Sequence, residues 1–273
     1  MCARWVSGVT RFLAVWLLLP AAAGRANERL FTYAYESPVL PFGAMEYELW
    51  TTARVMRDHY FLRFDQRVEL EWGLGRGVQT AFYVNTRGQA QTSPDGLQKA
   101  YEFRGVSSEW KWQMSDPSTN FVGSALYAEA TWMPHEIELE GKVILDRWFG
   151  PVLLAYNLVG EAEIEAEQGK GKELEWERVY KIENVLGVTY NAAGRFHVGL
   201  EVWNVNVFQE GKLGYSALLL GPCLAISGER FWAAWTFLAQ APAFQNSKTS
   251  PHSSLVLDDL ERYQTRLLLG VHW

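Results

Sequence analysis

The sequence predicts an all-β chain that forms a single antiparallel transmembrane β-barrel of about twelve strands. Three observations predict it. From about residue 44 to the end, apolar and charged residues alternate at every second position over many successive segments. Side chains on a strand point to alternate faces, so this period suits a wall with lipid on one side and a polar lumen on the other. Thirteen tryptophans, most of them spread along these segments, suit a membrane–water boundary. The chain opens on a basic start and a short apolar run ended by a small-residue stretch, the three parts of a secretory leader. The expected division is 1–26 signal peptide, 27–43 lead-in or short plug, and 44–273 barrel.

In the leader, Arg4 and Arg11 precede the apolar run 12–19, and Ala21, Ala22, Ala23 and Ala26 allow cleavage after Ala23 or Ala26. The run is too short to cross a bilayer as a helix. Residues 27–42 follow, with Phe31, Tyr33 and Tyr35 alternating before Pro38 and Pro41. Both a lumen plug and a simple lead-in fit them.

The first strand, about 44–55, sets Met45, Tyr47 and Leu49 against Glu46, Glu48 and Arg54. The second, about 59–73, is the clearest: Phe64, Val68, Leu70 and Trp72 alternate with Arg63, Asp65, Arg67, Glu69 and Glu71. A slip of one residue would put five charges into lipid, so its register is strongly fixed. The third, about 77–87, opposes Val78, Phe82 and Val84 to Gln79, Asn85 and Arg87. The fourth, about 97–115, changes parity near Gly105, as a bulge would make it do.

The fifth strand, about 120–132, and the sixth, about 136–149, keep the alternation, the sixth with Glu138, Glu140, Lys142 and Asp146 inward. The seventh, about 152–167, the eighth, about 173–190, and the ninth, about 195–208, do the same. The tenth, about 213–227, and eleventh, about 230–240, are apolar on both faces. The twelfth, about 257–273, places Arg262, Arg266 and His272 opposite Leu267, Leu269, Val271 and Trp273. Connections after even strands read as short turns, and the longest, 88–96 and 242–254, follow odd strands. That pattern fits short periplasmic turns, longer outer loops and termini in the periplasm.

Composition narrows the function. A net charge of -6 argues against nucleic acid. Cys223 is the single thiol beyond the leader, which leaves no internal disulfide. No cofactor motif or metal-ligand spacing stands out. His252 beside Ser253 or Ser254 is the nearest thing to a lipase-type pair, and neighbours in one loop are poor catalytic geometry.

The stretch Leu40-Pro41-Phe42-Gly43 with Glu46 and Glu48, and Glu71-Trp72-Gly73-Leu74 with Gln79 and Tyr83, resembles uncharacterised Gram-negative outer-membrane barrels. That group lies near the transporter-like proteins associated with phenol meta-pathway degradation. The resemblance covers about the first quarter of the chain beyond the leader plus the last strand. It implies an outer-membrane location and transport, and no catalytic residue. The alternating last strand ending on Trp273 resembles the signal read by the barrel-assembly machinery, which usually ends on Phe.

The expected lumen-lining residues are Glu46, Glu48, Arg54, Arg63, Asp65, Arg67, Glu69, Glu71, Lys142, Asp146, Lys181, Glu183, Arg262 and Arg266. An acidic cluster is expected at the outer mouth: Glu136, Glu138 and Glu140, Glu161, Glu163 and Glu165, and Glu173, Glu175 and Glu177. It reads either as a solvated rim or as a cation-attracting mouth that could hold a divalent ion weakly. The arginines of strands 12, 1 and 2 read either as a basic wall facing strands 6–8 or as ion pairs filling a narrow lumen. Expected partners are outer-membrane lipid, the assembly machinery and a small solute, for a monomer. Two functions compete: a passive channel for small solutes, and a non-conducting structural barrel. A lipase-type enzyme is a remote third.

Overall fold

The alternation along Phe61–Gly75 becomes a strand with Phe64 and Val68 exposed on the outer wall and Glu69 and Glu71 buried inside. The same rule builds most strands, Lys212–Ile226 and Phe231–Gln245 excepted, of the computed structural model, which describes residues 28–168, 174–247 and 253–273. The expected signal peptide, 1–26, lies outside the described residues. No helix among the described residues is long and apolar enough to cross a membrane.

The strands are β1 Met45–Val55, β2 Phe61–Gly75, β3 Val78–Ser93, β4 Gly96–Ser115, β5 Gly123–Trp132 and β6 Glu136–Phe149. Then come β7 Val152–Gln168, β8 Leu174–Ala193, β9 Phe196–Gln209, β10 Lys212–Ile226, β11 Phe231–Gln245 and β12 Tyr263–His272. Each pairs antiparallel with its neighbours, and β1 pairs with β12 to close the ring. Leu49 faces both Val68 and Leu269 across the two ladders. Trp273 completes the seam, its N–H donating to the Met45 carbonyl at 3.1 Å. Closure removes the unpaired edges that an open sheet would leave in lipid.

The predicted parity change is a bulge at Gly105. Its φ is +93°, the ladder to β3 shifts between Val84 and Thr86, and a Cβ there would lie 2.2 Å from the Trp132 carbonyl oxygen. Only glycine fits.

Two expectations about connections are corrected. Residues 88–96 are no loop. Pairing runs on from Gly88–Tyr101 to Ser93–Gly96, so the hairpin projects with Pro94 and Asp95 at its tip. Gly-, Gln- and Thr-rich sequence hides this extension, since it lacks an apolar face once clear of the membrane. At the rim that holds the terminal seam, the β4–β5 connection 116–122 is longer than a tight turn. Length therefore segregates by strand overshoot more than by loop size.

The last strand also starts later than expected. Residues 257–262 adjoin the alternating run that begins at Tyr263, yet they fold over the rim opposite the seam, with Leu260 and Glu261 buried. The Asp58 N–H donates to the Leu257 carbonyl at 3.0 Å and the Arg262 N–H to the Met56 carbonyl at 2.7 Å.

Inside the ring, residues 28–41 run between about mid-height, where Thr32–Tyr35 meet Glu201, Asn157 and Arg266, and the seam rim, which Pro41 reaches beside Gly73. They explain why β10 and β11 are apolar on both faces. Ala217, Leu219 and Ala225 of β10 and Trp232, Ala234 and Leu238 of β11 join Phe31, Tyr33 and Ala34 in one buried cluster. Phe31 sits where Gly187 leaves room: a Cβ there would be 2.7 Å from its ring.

Candidate functional site

The inner segment has almost no regular backbone pairing of its own, so its buried N–H groups need partners. Wall side chains supply them. Glu201 of β9, fully buried, accepts from the N–H groups of Thr32 (3.1 Å), Tyr33 (2.8 Å) and Ala34 (2.7 Å) and from the Thr236 hydroxyl. Asn157 of β7 clamps Tyr35, accepting its N–H at 2.6 Å and donating to its carbonyl at 2.9 Å. Asp146 of β6 takes the Ser37 hydroxyl at 2.6 Å, and Gln79 of β3 takes the Leu40 N–H at 2.8 Å. Arg266 and Lys111 donate to the carbonyls of Thr32 (3.0 Å) and Pro38 (2.7 Å).

Within the segment, Glu36 accepts the Leu30 N–H at 2.8 Å. Burial pushes its carboxyl up to about 7, against the pull of the Arg29 guanidinium. Burial likewise pushes the Tyr35 phenol up to about 12, against Lys142 and Arg29.

Above the segment lies a cavity of about 570 Å3, within the range of small-molecule sites. Tyr33 and Tyr35 form its floor with Trp50 and Trp203, Tyr33 stacking on Trp203 with centroids 5.6 Å apart. Its walls differ in charge. On the β1–β3 side, Arg54, Arg57, Arg63 and Arg87 share two carboxylates. Asp65 receives Arg54 (3.0 Å), Arg63 (2.9 Å) and Arg87 (2.7 Å); Glu261 receives Arg54 (2.7 Å) and Arg57 (3.4 Å). Glu261 is buried, which opposes its ionisation, yet Arg54 holds its carboxyl below the usual range.

Across the ring, Glu138, Glu140, Glu161, Glu163 and Glu183 stand around two lysines. Lys181 pairs with Glu161 and Glu163, both at 2.6 Å, and Lys142 with Glu140 at 2.8 Å. Surplus positive charge therefore faces surplus negative charge over the cavity.

Of the expected lumen residues, Arg54, Arg63, Asp65, Arg67, Lys142, Lys181, Glu183 and Arg266 line this cavity. Glu46, Glu48, Glu69 and Glu71 lie buried below it, and Asp146 holds the inner segment. Arg262 is the exception: it is exposed, precedes β12 and stacks over Tyr263 at 5.4 Å, while its neighbour Glu261 turns inward.

Of the expected acidic mouth, Glu136, Glu138, Glu140, Glu161 and Glu163 line the cavity. Glu165 and Glu177 pair across the β7–β8 ladder and are exposed. Glu175 pairs with Glu167 further out, and Glu173 lies outside the described residues, as does His252. Alternation places Gln79, Lys111, Asn157 and Glu201 on inward faces, but sequence reasoning missed them as anchors of the inner segment. The available signal was isolation: Glu201 is the lone carboxylate on the inward face of β9, followed by Trp203, Val205 and Val207, and a buried charge without a partner is untenable.

A model of a family of unknown function, DUF6662, matches residues 23–273. The chain belongs to that family. No functionally curated protein is similar to this member. Among solved structures, it is similar to the COG4313 outer membrane channel from Pseudomonas putida F1, with TM-score 0.56 and 9% identity over 87% of this chain and 98% of that one. It is similar to the NanC porin, with TM-score 0.52 and 10% identity over 82% and 98%. It also resembles the β domain of the Bordetella autotransporter BrkA, with TM-score 0.53 and 8% identity over 85% and 100%. At such identities the likeness is one of fold, that of an outer-membrane β-barrel.

Proposed function

We propose that this family member is a channel for small polar solutes in the outer membrane of a Gram-negative bacterium, held shut by residues 28–41. The observation that carries this reading is the pairing of a charge-sorted cavity with a removable floor. Opposed surplus charges create a transverse field that orients a dipolar solute. The floor belongs to no strand and is held chiefly by polar side chains and its own apolar contacts, so it can leave without breaking a ladder bond. The seam rim is the periplasmic one in this reading. β12 with Trp273 is what the assembly machinery engages, and the barrel works as a monomer without enzymatic chemistry.

The competing reading is a structural barrel, favoured by the density of ion pairs around Asp65, Glu261 and Lys181. Planar-bilayer recordings of the purified chain and of a variant lacking 28–41 separate the two. The channel reading expects rare, brief conductance steps from the full chain and large, sustained ones from the variant. No steps from a folded variant at any voltage would end it.

A further inference from the structure

Below the cavity, five carboxylates crowd the inner wall of β1, β2 and β4. The register alone makes the arrangement costly. Glu46 lies directly opposite Glu71, and Glu48 directly opposite Glu69, across the β1–β2 ladder. Like charges in such positions repel. Glu109 joins them from β4, with a carboxylate oxygen within 4.8 Å of those of Glu69 and Glu71. Glu46, Glu48 and Glu71 form a second such triad, so Glu71 belongs to both.

Four of the five have a donor. Trp232 serves Glu46 at 2.8 Å, Trp50 serves Glu48 at 2.5 Å, Gln79 serves Glu71 at 2.6 Å, and Tyr83 serves Glu109 at 3.0 Å. Glu69 has none. It is 1% exposed and both its oxygens lack a hydrogen-bond partner. One oxygen of Glu46 is also without a hydrogen bond, with only the His272 ring 3.7 Å away. Among the described residues, no Lys, Arg or His nitrogen comes within 4.0 Å of Glu48, Glu69, Glu71 or Glu109. The nearby Lys111 spends its ammonium on the Pro38 carbonyl, and Arg29 stacks on Tyr35. An isolated buried carboxylate with two empty acceptors is a state that proteins avoid.

We propose that this cluster is a binding site for one divalent cation of the calcium or magnesium class. The donor set is all carboxylate, the chemistry those hard cations prefer. Two oxygens each about 2.4 Å from a shared calcium ion lie at most about 4.8 Å apart, and the oxygens of both triads fall within that limit. Glu69 and Glu71 supply the central ligands, with Glu109 and Glu48 on either side. Since Gln79 holds both Glu71 and the Leu40 N–H, the ion stiffens the point where the inner segment meets the wall.

The test is metal content of the full chain, refolded in detergent with calcium or magnesium chloride and then gel-filtered into metal-free buffer. About one calcium or magnesium per chain is expected. Glu69→Gln should lower affinity about tenfold or more, while Glu138→Gln with Glu163→Gln, at the cavity mouth, should leave stoichiometry unchanged. No stoichiometric ion in the wild type overturns the proposal, as does full retention in a folded Glu69→Gln. Should that variant fail to fold, terbium luminescence of the wild type decides. Emission sensitised by the adjacent Trp50 and Trp232, and displaced by calcium, is expected; its absence overturns the site.

Discussion

Replacing Glu201 by Gln tests the floor of the cavity through one side chain. Glu201 accepts three backbone N–H groups and two hydroxyls from inside a fully buried position. Gln keeps one acceptor oxygen and turns an NH2 group toward donors. Hydrogen bonds to a charged group contribute about 1.5–3 kcal/mol each, and an abandoned buried N–H costs about as much. Weakening two of them costs the docked segment about 3–4 kcal/mol. At about 1.4 kcal/mol per factor of ten, the undocked fraction rises roughly 100- to 1000-fold.

The chain carries its own reporter. Cys223 lies on the inner face of β10, 1% exposed, in the same buried cluster as Phe31. Its alkylation by a soluble maleimide requires the segment to leave. The assay is the rate of Cys223 modification in detergent, read by mass spectrometry of the peptide that contains it. The variant should react about two orders of magnitude faster than wild type while keeping the heat-modifiable mobility of a closed barrel. A rate within about threefold of wild type, with the barrel intact, would refute the claim that Glu201 anchors the floor.

Other outcomes follow from the same geometry. Glu36 ionises near 7 when docked and near its ordinary value, about 4.5, when free. Protonated Glu36 therefore favours docking, and that advantage is lost as pH rises through about 7; the difference is roughly 3 kcal/mol. Cys223 reactivity should climb between about pH 4.5 and pH 7 beyond the thiol's own pH trend, and Glu36→Gln should flatten the excess. Gly187→Ala puts a methyl 2.7 Å from the Phe31 ring; overpacking of about 1–3 kcal/mol should raise the Cys223 alkylation rate. Asp65→Asn frees three guanidiniums of their shared carboxylate. In the variant lacking 28–41, reversal potentials in a salt gradient should move toward anion selectivity, and an unchanged potential would place Asp65 outside the conducting path.

Much of the wall was legible because lipid imposes a hard period. In β2, five charges on one face leave no alternative register, and the Gly105 bulge was visible as a break in parity. β10 and β11 were opaque for a physical reason. Their inner faces touch Phe31 and Ala34 rather than water, so apolar residues stand on both sides and the period disappears. The start of β12 misled in another way: Leu257-Asp258-Asp259-Leu260-Glu261-Arg262 lacks a period of two but adjoins the alternating run from Tyr263, and it folds over the mouth with Arg262 turned to solvent. The lining charges of β1, β2 and β6–β8 could be read from parity, but their sorting into opposed walls depends on closure. The role of 28–41 was undecidable, since its anchors are single polar residues scattered over β3, β4, β6, β7, β9 and β12. No spacing rule joins Gln79, Asp146, Asn157 and Glu201.

The inner segment is covalently continuous with β1 through Phe42 and Gly43, where the Gly43 N–H donates to the Gly73 carbonyl at 2.9 Å. Once undocked it stays leashed within a few nanometres of its seat. A tether this short sustains an effective concentration on the order of millimolar, so recapture is unimolecular and fast. Traffic would pass in flickers, and a solute lodged above the vacated seat would act as a doorstop. The pore's own cargo would then set how long each opening lasts.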